Sequence, residues 1–434
     1  MDEVVPHQRY DAVLPKLRVE TNMNLTVENV RQIVTDVWRG ARGMNRERLF
    51  MLGALTLGHI IVHWYQQIFS LVIPSIKRDL GLTNVQVGAL STARQITNGL
   101  NLPSGYIADS YRSWTNAILA AAILSFGLGY YLMGVASSYE WALGAAALIG
   151  LGAVLWHPAA LGSLSLQFKE RRGLALSIHG AGASIGDSIA PIIVGAILLS
   201  VNWRLAMQTH LLPALLVAFG LWWGLRHVFG GGGERPTFGS YLAGIREMVT
   251  NIQVVGVVMS NSISGMSRLA VTTFFPIYVT ETLGYSAFIL GIYLALLYVM
   301  GLISQPIMGI LSDQHGRKAV LVPAFSAMTV LFVLMVIAPG GVALGLVVAA
   351  LGCFFYGTAN VTASAVMDVA PENVQAGSFA ISSLISQPFN LVSPIVSGIL
   401  VENFGLSAAF WYAAALQAVS TVVLIPIHFR RTPR

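Results

Sequence analysis

Twelve apolar runs dominate this chain, at about 49–74, 85–108, 114–135, 141–166, 173–200, 205–228, 252–279, 287–311, 319–338, 341–367, 376–401 and 405–428. About 20 mostly apolar residues suffice to cross a bilayer as a helix. Inside lipid every backbone polar group must be satisfied within the protein, so such runs become helices. Only 10% of the residues are charged and 55% are hydrophobic; a soluble domain carries roughly 25% charged residues. A large soluble protein is excluded. The expected fold is an all-α polytopic membrane protein with twelve transmembrane helices.

The net charge of +6 invites a nucleic-acid reading, but its distribution argues against one. Lys and Arg gather at alternating helix ends, the positive-inside pattern. With the N-terminus cytoplasmic, inner loops hold Arg112, Lys169, Arg171, Arg172, Arg226, Arg235, Arg246, Arg317 and Lys318. Outer loops hold only Lys77, Arg78 and Arg204. Both termini are then expected to be cytoplasmic. Cys353 is the single cysteine, so no intrachain disulfide forms. The chain opens on acidic MDEVV with no apolar segment before residue 49, unlike a cleavable signal peptide. Within 1–48, Val27, Val30, Val34, Val37 and Trp38 fall at helical spacing beside Arg31, Arg39 and Arg42. Two readings stay open there: an amphipathic helix on the inner membrane face, or a partly disordered tail.

GGGGERP (230–236) cannot continue a helix. It divides the chain into a tail (1–48), a six-run bundle (49–228), a cytoplasmic loop (229–251), a second six-run bundle (252–428) and a short C-terminal tail (429–434). The bundles repeat each other. GYIAD (105–109) matches GILSD (309–313), PIIVGAIL from Pro191 matches PIVSGIL from Pro394, and LGAVLWHPAA from Leu151 aligns with LGCFFYGTAN from Leu351. IPSIKRDLGLTNVQVG (73–88) resembles FPIYVTETLGYSAFILG (275–291). Parallel repeats around a mid-membrane site are a secondary-transporter plan.

Over about residues 49–430 the sequence resembles the major facilitator superfamily. GILSDQHGRKAV (309–320) looks like the family's loop motif between the second and third helices of a half. The resemblance implies a gating role for Gly309, Asp313, Gly316, Arg317 and Lys318. GYIADSYRSWT (105–115) keeps Gly105, Asp109 and Arg112 but lacks the later glycine and basic pair. GAGASIGDSIAPIIVG (180–195) resembles the glycine-rich fifth-helix motif of antiporters, with Gly186-Asp187 where a Gly-Pro pair is usual. Gly182, Gly186, Pro191 and Gly195 are its helix-packing positions, and small-xxx-small spacing alone explains such glycines. WHPAA (156–160) and LGLTNVQVGAL (80–90) are similar to the fosmidomycin-resistance type of exporter.

Ionisable residues within the runs are the functional candidates. A charged side chain at mid-membrane costs roughly 2.5–3.5 kcal/mol on an insertion scale and normally faces a cavity or a partner. Arg94, Asp187 and Arg268 lie near the middles of the second, fifth and seventh runs, with His59, His63, His157 and His179 in addition. The resemblance places His59, His63, His157 and Arg268 on helices that line the central cavity. His59, His63 and Gln67 share one helical face. Two histidines so spaced can hold a metal, but no further ligand is assignable from sequence, so no metal and no cofactor are expected. Polar packing and a wet cavity wall both remain open. Two arginines against one aspartate leave an excess positive charge, for which an anionic substrate is the simplest partner. The expected substrate-binding set is Arg268, Arg94, His59, His63, Gln66 and His157. Asp187 pairs with Arg94 or carries a proton, with His63 as a second carrier.

The sequence thus predicts a monomeric, non-enzymatic secondary transporter in a bacterial inner membrane, contacting lipid and no nucleic acid. It moves a small organic anion by alternating access, driven by protons, with efflux favoured. No nucleotide-binding loop of the G-x-x-x-x-G-K type is present. The alternatives are an anion importer or exchanger without proton coupling and, more remotely, a membrane sensor or membrane-embedded enzyme.

Overall fold

The computed structural model describes residues 45–228, 239, 250–369, 375–427 and 429. The expected helix at 27–38, the GGGGERP break and the final tail lie outside the described residues. Helices account for the fold, and no strand occurs among the described residues. In chain order they are α1 (Arg46–Leu80), α2 (Asn84–Ile96), α3 (Asn101–Ser110), α4 (Thr115–Gly134), α5 (Tyr139–Gln167), α6 (Arg172–Ser200), α7 (Trp203–Thr209) and α8 (Leu211–Gly224). The second half gives α9 (Ile252–Ile277), α10 (Ala287–His315), α11 (Arg317–Ile337), α12 (Val342–Phe355), α13 (Ala359–Val369), α14 (Gln375–Phe404) and α15 (Ala408–Leu424).

Nine described helical segments, between Arg112 and Phe404, are long and apolar enough to span a membrane. The other three runs are helical too, but each departs from a simple span. α1 is 35 residues long yet too polar for the count, because its centre carries His59, His63, Gln66 and Gln67. The second run is cut into α2 and α3 by a 3-10 turn, Thr97–Leu100. α15 is 17 residues long. The tenth run is also interrupted, at 356–358 between α12 and α13. Non-helical backbone at membrane depth survives only where protein buries it or a cavity hydrates it, so these breaks point to the site.

The repeat is visible in local structure. Gly81 and Gly284 follow equivalent helices and both adopt positive φ, +64° and +69°, a conformation that favours glycine. Seven residues separate Pro74 from Gly81, but eight separate Pro276 from Gly284. The extra residue is absorbed by a π turn, Tyr278–Thr282. α2 starts at a capping box: Thr83 Oγ1 accepts from Gln86 N at 3.2 Å, and Gln86 Oε1 accepts from Thr83 N at 2.9 Å.

Helices approach where residues are small. A Cβ on Gly182 would lie 2.7 Å from the Thr56 carbonyl oxygen, and one on Gly186 would lie 2.4 Å from that of Ile60. The far end of α6 packs instead on α10: Gly195 faces the Ala287 carbonyl and Gly291 faces that of Pro191. Likewise α2 meets α14, with Gly88 against the Pro394 carbonyl and Gly398 against that of Asn84. These α6–α10 and α2–α14 contacts join the two halves at the end opposite the loop motifs. Lys77 donates to Glu281 at 2.7 Å there, and the Asn84 amide donates to Glu402 at 2.8 Å. At the motif end, Arg317 bonds to Asp313 and, at 2.7 Å, to Asp368; all three lie in the second half. The halves are therefore joined at the end opposite the motifs, and Thr92 donating to the Leu391 carbonyl at 2.8 Å and Gln387 donating to the Gln95 carbonyl at 2.6 Å extend the α2–α14 contact inward.

Candidate transport site

The close α1–α6 packing dictates the first half of the site. Gly186 lets α6 lie against the turn of α1 that carries His63, and the next residue, Asp187, reaches that histidine. His63 Nδ1 donates to Asp187 Oδ2 at 3.0 Å, and Gln67 Nε2 donates to Asp187 Oδ1 at 2.6 Å. Asp187 therefore does not pair with Arg94; its carboxylate is held by α1 rather than α2. His59 Nδ1 donates to the His179 carbonyl at 2.8 Å, and the two rings stack at 3.9 Å. His157, on α5, donates from Nδ1 to the Ala153 carbonyl at 2.8 Å. Pro158 removes the amide that would have bonded to the Val154 carbonyl, and the buried Ser104 hydroxyl takes that carbonyl at 2.8 Å. The four imidazoles of His59, His63, His157 and His179 thus form one cluster with Trp156 against it.

The second half supplies a different chemistry. Arg268 Nη2 donates to Thr358 Oγ1 at 2.9 Å, at the interruption between α12 and α13. Its guanidinium lies over Phe355, 5.4 Å from the ring centroid. Its Nε is buried without a hydrogen-bond partner, and no carboxylate lies within ion-pair distance among the described residues. The serines around it serve packing. Ser260 bonds to Ser420, Ser262 to Ser386, and Ser264 and Ser267 both donate to Gln417 Oε1. The rings of Tyr356 and Tyr298 lie 4.6 Å apart, tilted by 30°.

Arg94 is spent differently. Nη1 donates to the Gln66 carbonyl at 3.2 Å, and the guanidinium lies 4.9 Å over Phe69. No described carboxylate pairs with it either. Gln66, half-buried, contributes that backbone oxygen. His63, His157, Asp187, Arg94, Arg268, Tyr298 and Tyr356 are all half-buried at mid-span.

Of the loop motifs, Gly316 makes the turn before α11 at φ +94°, and Arg317 ties Asp313 to Asp368 and Ser312. Gly309 has open space around its Cα, and Lys318 is half-buried. In the first half Gly105 lies near Pro158, and Arg112 Nε is buried without a partner. The Asp109 side chain lies outside the described residues. Asp368, Thr358, Phe355 and the two tyrosines escaped the sequence reading. Only the alignment of Trp156 with Tyr356 hinted at them.

The profile of the family described as Major Facilitator Superfamily matches residues 55–387 and 257–434. The chain belongs to the major facilitator superfamily. It is 24% identical over 278 residues to the fosmidomycin resistance protein of Escherichia coli strain K12, covering 62% of this chain and 67% of that protein. A probable sulfoacetate transporter of Cupriavidus necator, SauU, is 25% identical over 426 residues, 88% of this chain and 94% of the relative. Several other relatives are matched over less than half of their own length. The crystal structure of the nucleoside transporter NupG superposes with a TM-score of 0.73 at 12% identity, over 87% of this chain and 99% of that one. It shows the same fold.

Proposed function

We propose that this superfamily member is a secondary active transporter of a small organic anion, exporting it against a proton gradient across a bacterial inner membrane as a monomer. One observation carries the substrate charge. Arg268 is a mid-span guanidinium with no carboxylate partner among the described residues, facing a broken helix. A guanidinium stays protonated and binds a carboxylate or phosphonate through parallel hydrogen bonds. The relative named a sulfoacetate transporter handles an anion by its name, in keeping with that reading. Alternating access follows from the contacts that pin one end, which must part as the motif end closes. Asp313, Arg317 and Asp368 are the proposed gate. His63 and Asp187 are the proposed proton carrier, with Gln67 holding the other carboxylate oxygen of Asp187.

Proteoliposomes test this directly. With an imposed pH gradient, protons should move only when an organic anion is supplied. Asp187→Asn should abolish gradient-driven accumulation while anion exchange persists. Accumulation by Asp187→Asn at the wild-type rate would remove Asp187 from coupling; substrate-independent proton flux would argue against the transporter reading itself.

A further inference from the structure

The imidazole cluster carries more than a cavity wall needs. His59 and His63 come from α1 and His157 from α5, and one ring nitrogen from each lies within 4.8 Å of the others. In each ring one nitrogen, Nδ1, is already engaged. His59 Nδ1 meets the His179 carbonyl, His157 Nδ1 meets the Ala153 carbonyl, and His63 Nδ1 meets the Asp187 carboxylate. A carbonyl oxygen and a carboxylate can only accept. All three Nδ1 atoms therefore carry the proton in the neutral rings, and all three Nε2 atoms keep a lone pair. His59, 6% exposed, has its Nε2 buried with no partner.

Buried imidazole acceptors without donors are costly to leave unsatisfied. Here the donors are oriented as in metal sites, where a ligating histidine gives its other N–H to a carboxylate or a backbone carbonyl. His63–Asp187 is the carboxylate–histidine form of that arrangement. We propose that His59, His63 and His157 bind a divalent late first-row transition-metal ion through their Nε2 atoms, with Asp187 and the two carbonyls as the outer shell. Imidazole donors select ions of the zinc, nickel and copper class over magnesium or calcium. Tetrahedral bonds of about 2.0–2.1 Å put ligand nitrogens about 3.4 Å apart, so the rings move together slightly as the ion enters. Three protein ligands leave a fourth position for water or an anionic oxygen. Coordination through Nε2 leaves every Nδ1 hydrogen bond intact, including the one to Asp187. His179 stays outside the ligand set because its ring lies parallel to that of His59, at an interplanar angle of 5°.

The test uses the full chain, purified without a polyhistidine tag, in detergent or nanodiscs. Zn2+ is titrated by calorimetry, and Co2+ is added to read its tetrahedral d–d absorption. About one ion per chain is expected, with a tetrahedral Co2+ spectrum. His59→Ala and His157→Ala should each weaken Zn2+ binding by more than the roughly 10–100-fold typical of outer-shell changes, and Asp187→Asn should fall within that range. His227→Ala, which removes an exposed histidine elsewhere in the chain, should leave affinity unchanged. No Zn2+ heat and no tetrahedral Co2+ spectrum in the wild-type protein would overturn the proposal, whatever the variants do. So would binding that survives in His59→Ala and disappears in His227→Ala. Because the readout is binding alone, a negative result leaves the anion-transport reading standing, and a failed transport assay leaves this one standing.

Discussion

The two halves place opposite chemistries at repeat-related positions. At the spacing set by Pro74 and Pro276, Gln66 in the first half corresponds to Arg268 in the second. In the fourth and tenth runs, Trp156-His157-Pro158 corresponds to Tyr356-Gly357-Thr358. The first half thus collects four imidazoles and a carboxylate, with Arg94 bonded to the Gln66 carbonyl and lying over Phe69; the second holds Arg268 beside a helix break. Both halves solve the same backbone problem the same way. Ser104 takes the Val154 carbonyl freed by Pro158, and Ser304 takes the Cys353 carbonyl at 2.6 Å beside the break at 356–358. Duplication has kept the packing and its repairs while the central side chains diverged. The imidazoles and the carboxylate are confined to the first half, whereas Arg268 in the second sits at an interruption that α5 lacks.

The sharpest way to break this comparison is to substitute its two equivalent positions. Losing one partner of a buried charge pair costs about 2–5 kcal/mol, so Arg268→Ala should weaken anion binding by at least about 30-fold. Arg268→Lys should not restore it, since an ammonium lacks the planar fork. Gln66→Ala should cost far less, by isothermal titration with the same anion. Equal losses at both positions would mean that the site is symmetric after all.

A second contrast lies between the two ends. A Cβ on Gly88 would sit 2.2 Å from the Pro394 carbonyl oxygen, so Gly88→Val cannot keep this end shut. Overpacking costs about 1–3 kcal/mol, which shifts the balance of states roughly 5–150-fold toward the alternative. Cysteine labelling near Lys77, in a Cys353→Ser background, should rise accordingly. Unchanged labelling would show that the α2–α14 contact does not hold the end closed.

The repair serines predict about 1 kcal/mol of lost stability each for Ser104→Ala and Ser304→Ala, the net worth of one hydrogen bond. Thermal unfolding in detergent would read both, and the effects should be similar because the device is the same. The smallest effect is expected at the gate. The Asp313 side chain is 70% exposed, and exposed ion pairs contribute about 0.2–1 kcal/mol. Asp313→Asn should slow turnover about two- to five-fold with little change in binding.

The architecture was legible because apolar length and repeat spacing are local properties of a sequence. The interruptions were less so. Pro158 leaves α5 continuous, whereas the break at 356–358 contains no proline and depends on contacts from α9 and α10. Sequence left Asp187 as either the partner of Arg94 or a proton carrier; Gly182 and Gly186 bring α6 onto α1, so its carboxylate meets His63 and Gln67. The same limit hid the third imidazole. The i, i+4 spacing displays His59 and His63, but His157 lies 94 residues beyond His63 and joins them only through the α1–α5 contact at Gly58 and Trp156.

On the proposed function, the counter-charge of Arg268 arrives with the substrate. Thermal-shift titration of purified protein, comparing an organic anion with its neutral methyl ester, tests it most directly. Ligand that binds only the folded state raises apparent stability by mass action. The anion and not the ester is expected to stabilise the wild type, and neither is expected to stabilise Arg268→Ala. Equal stabilisation by ester and anion, or a wild-type response in Arg268→Ala, would contradict it.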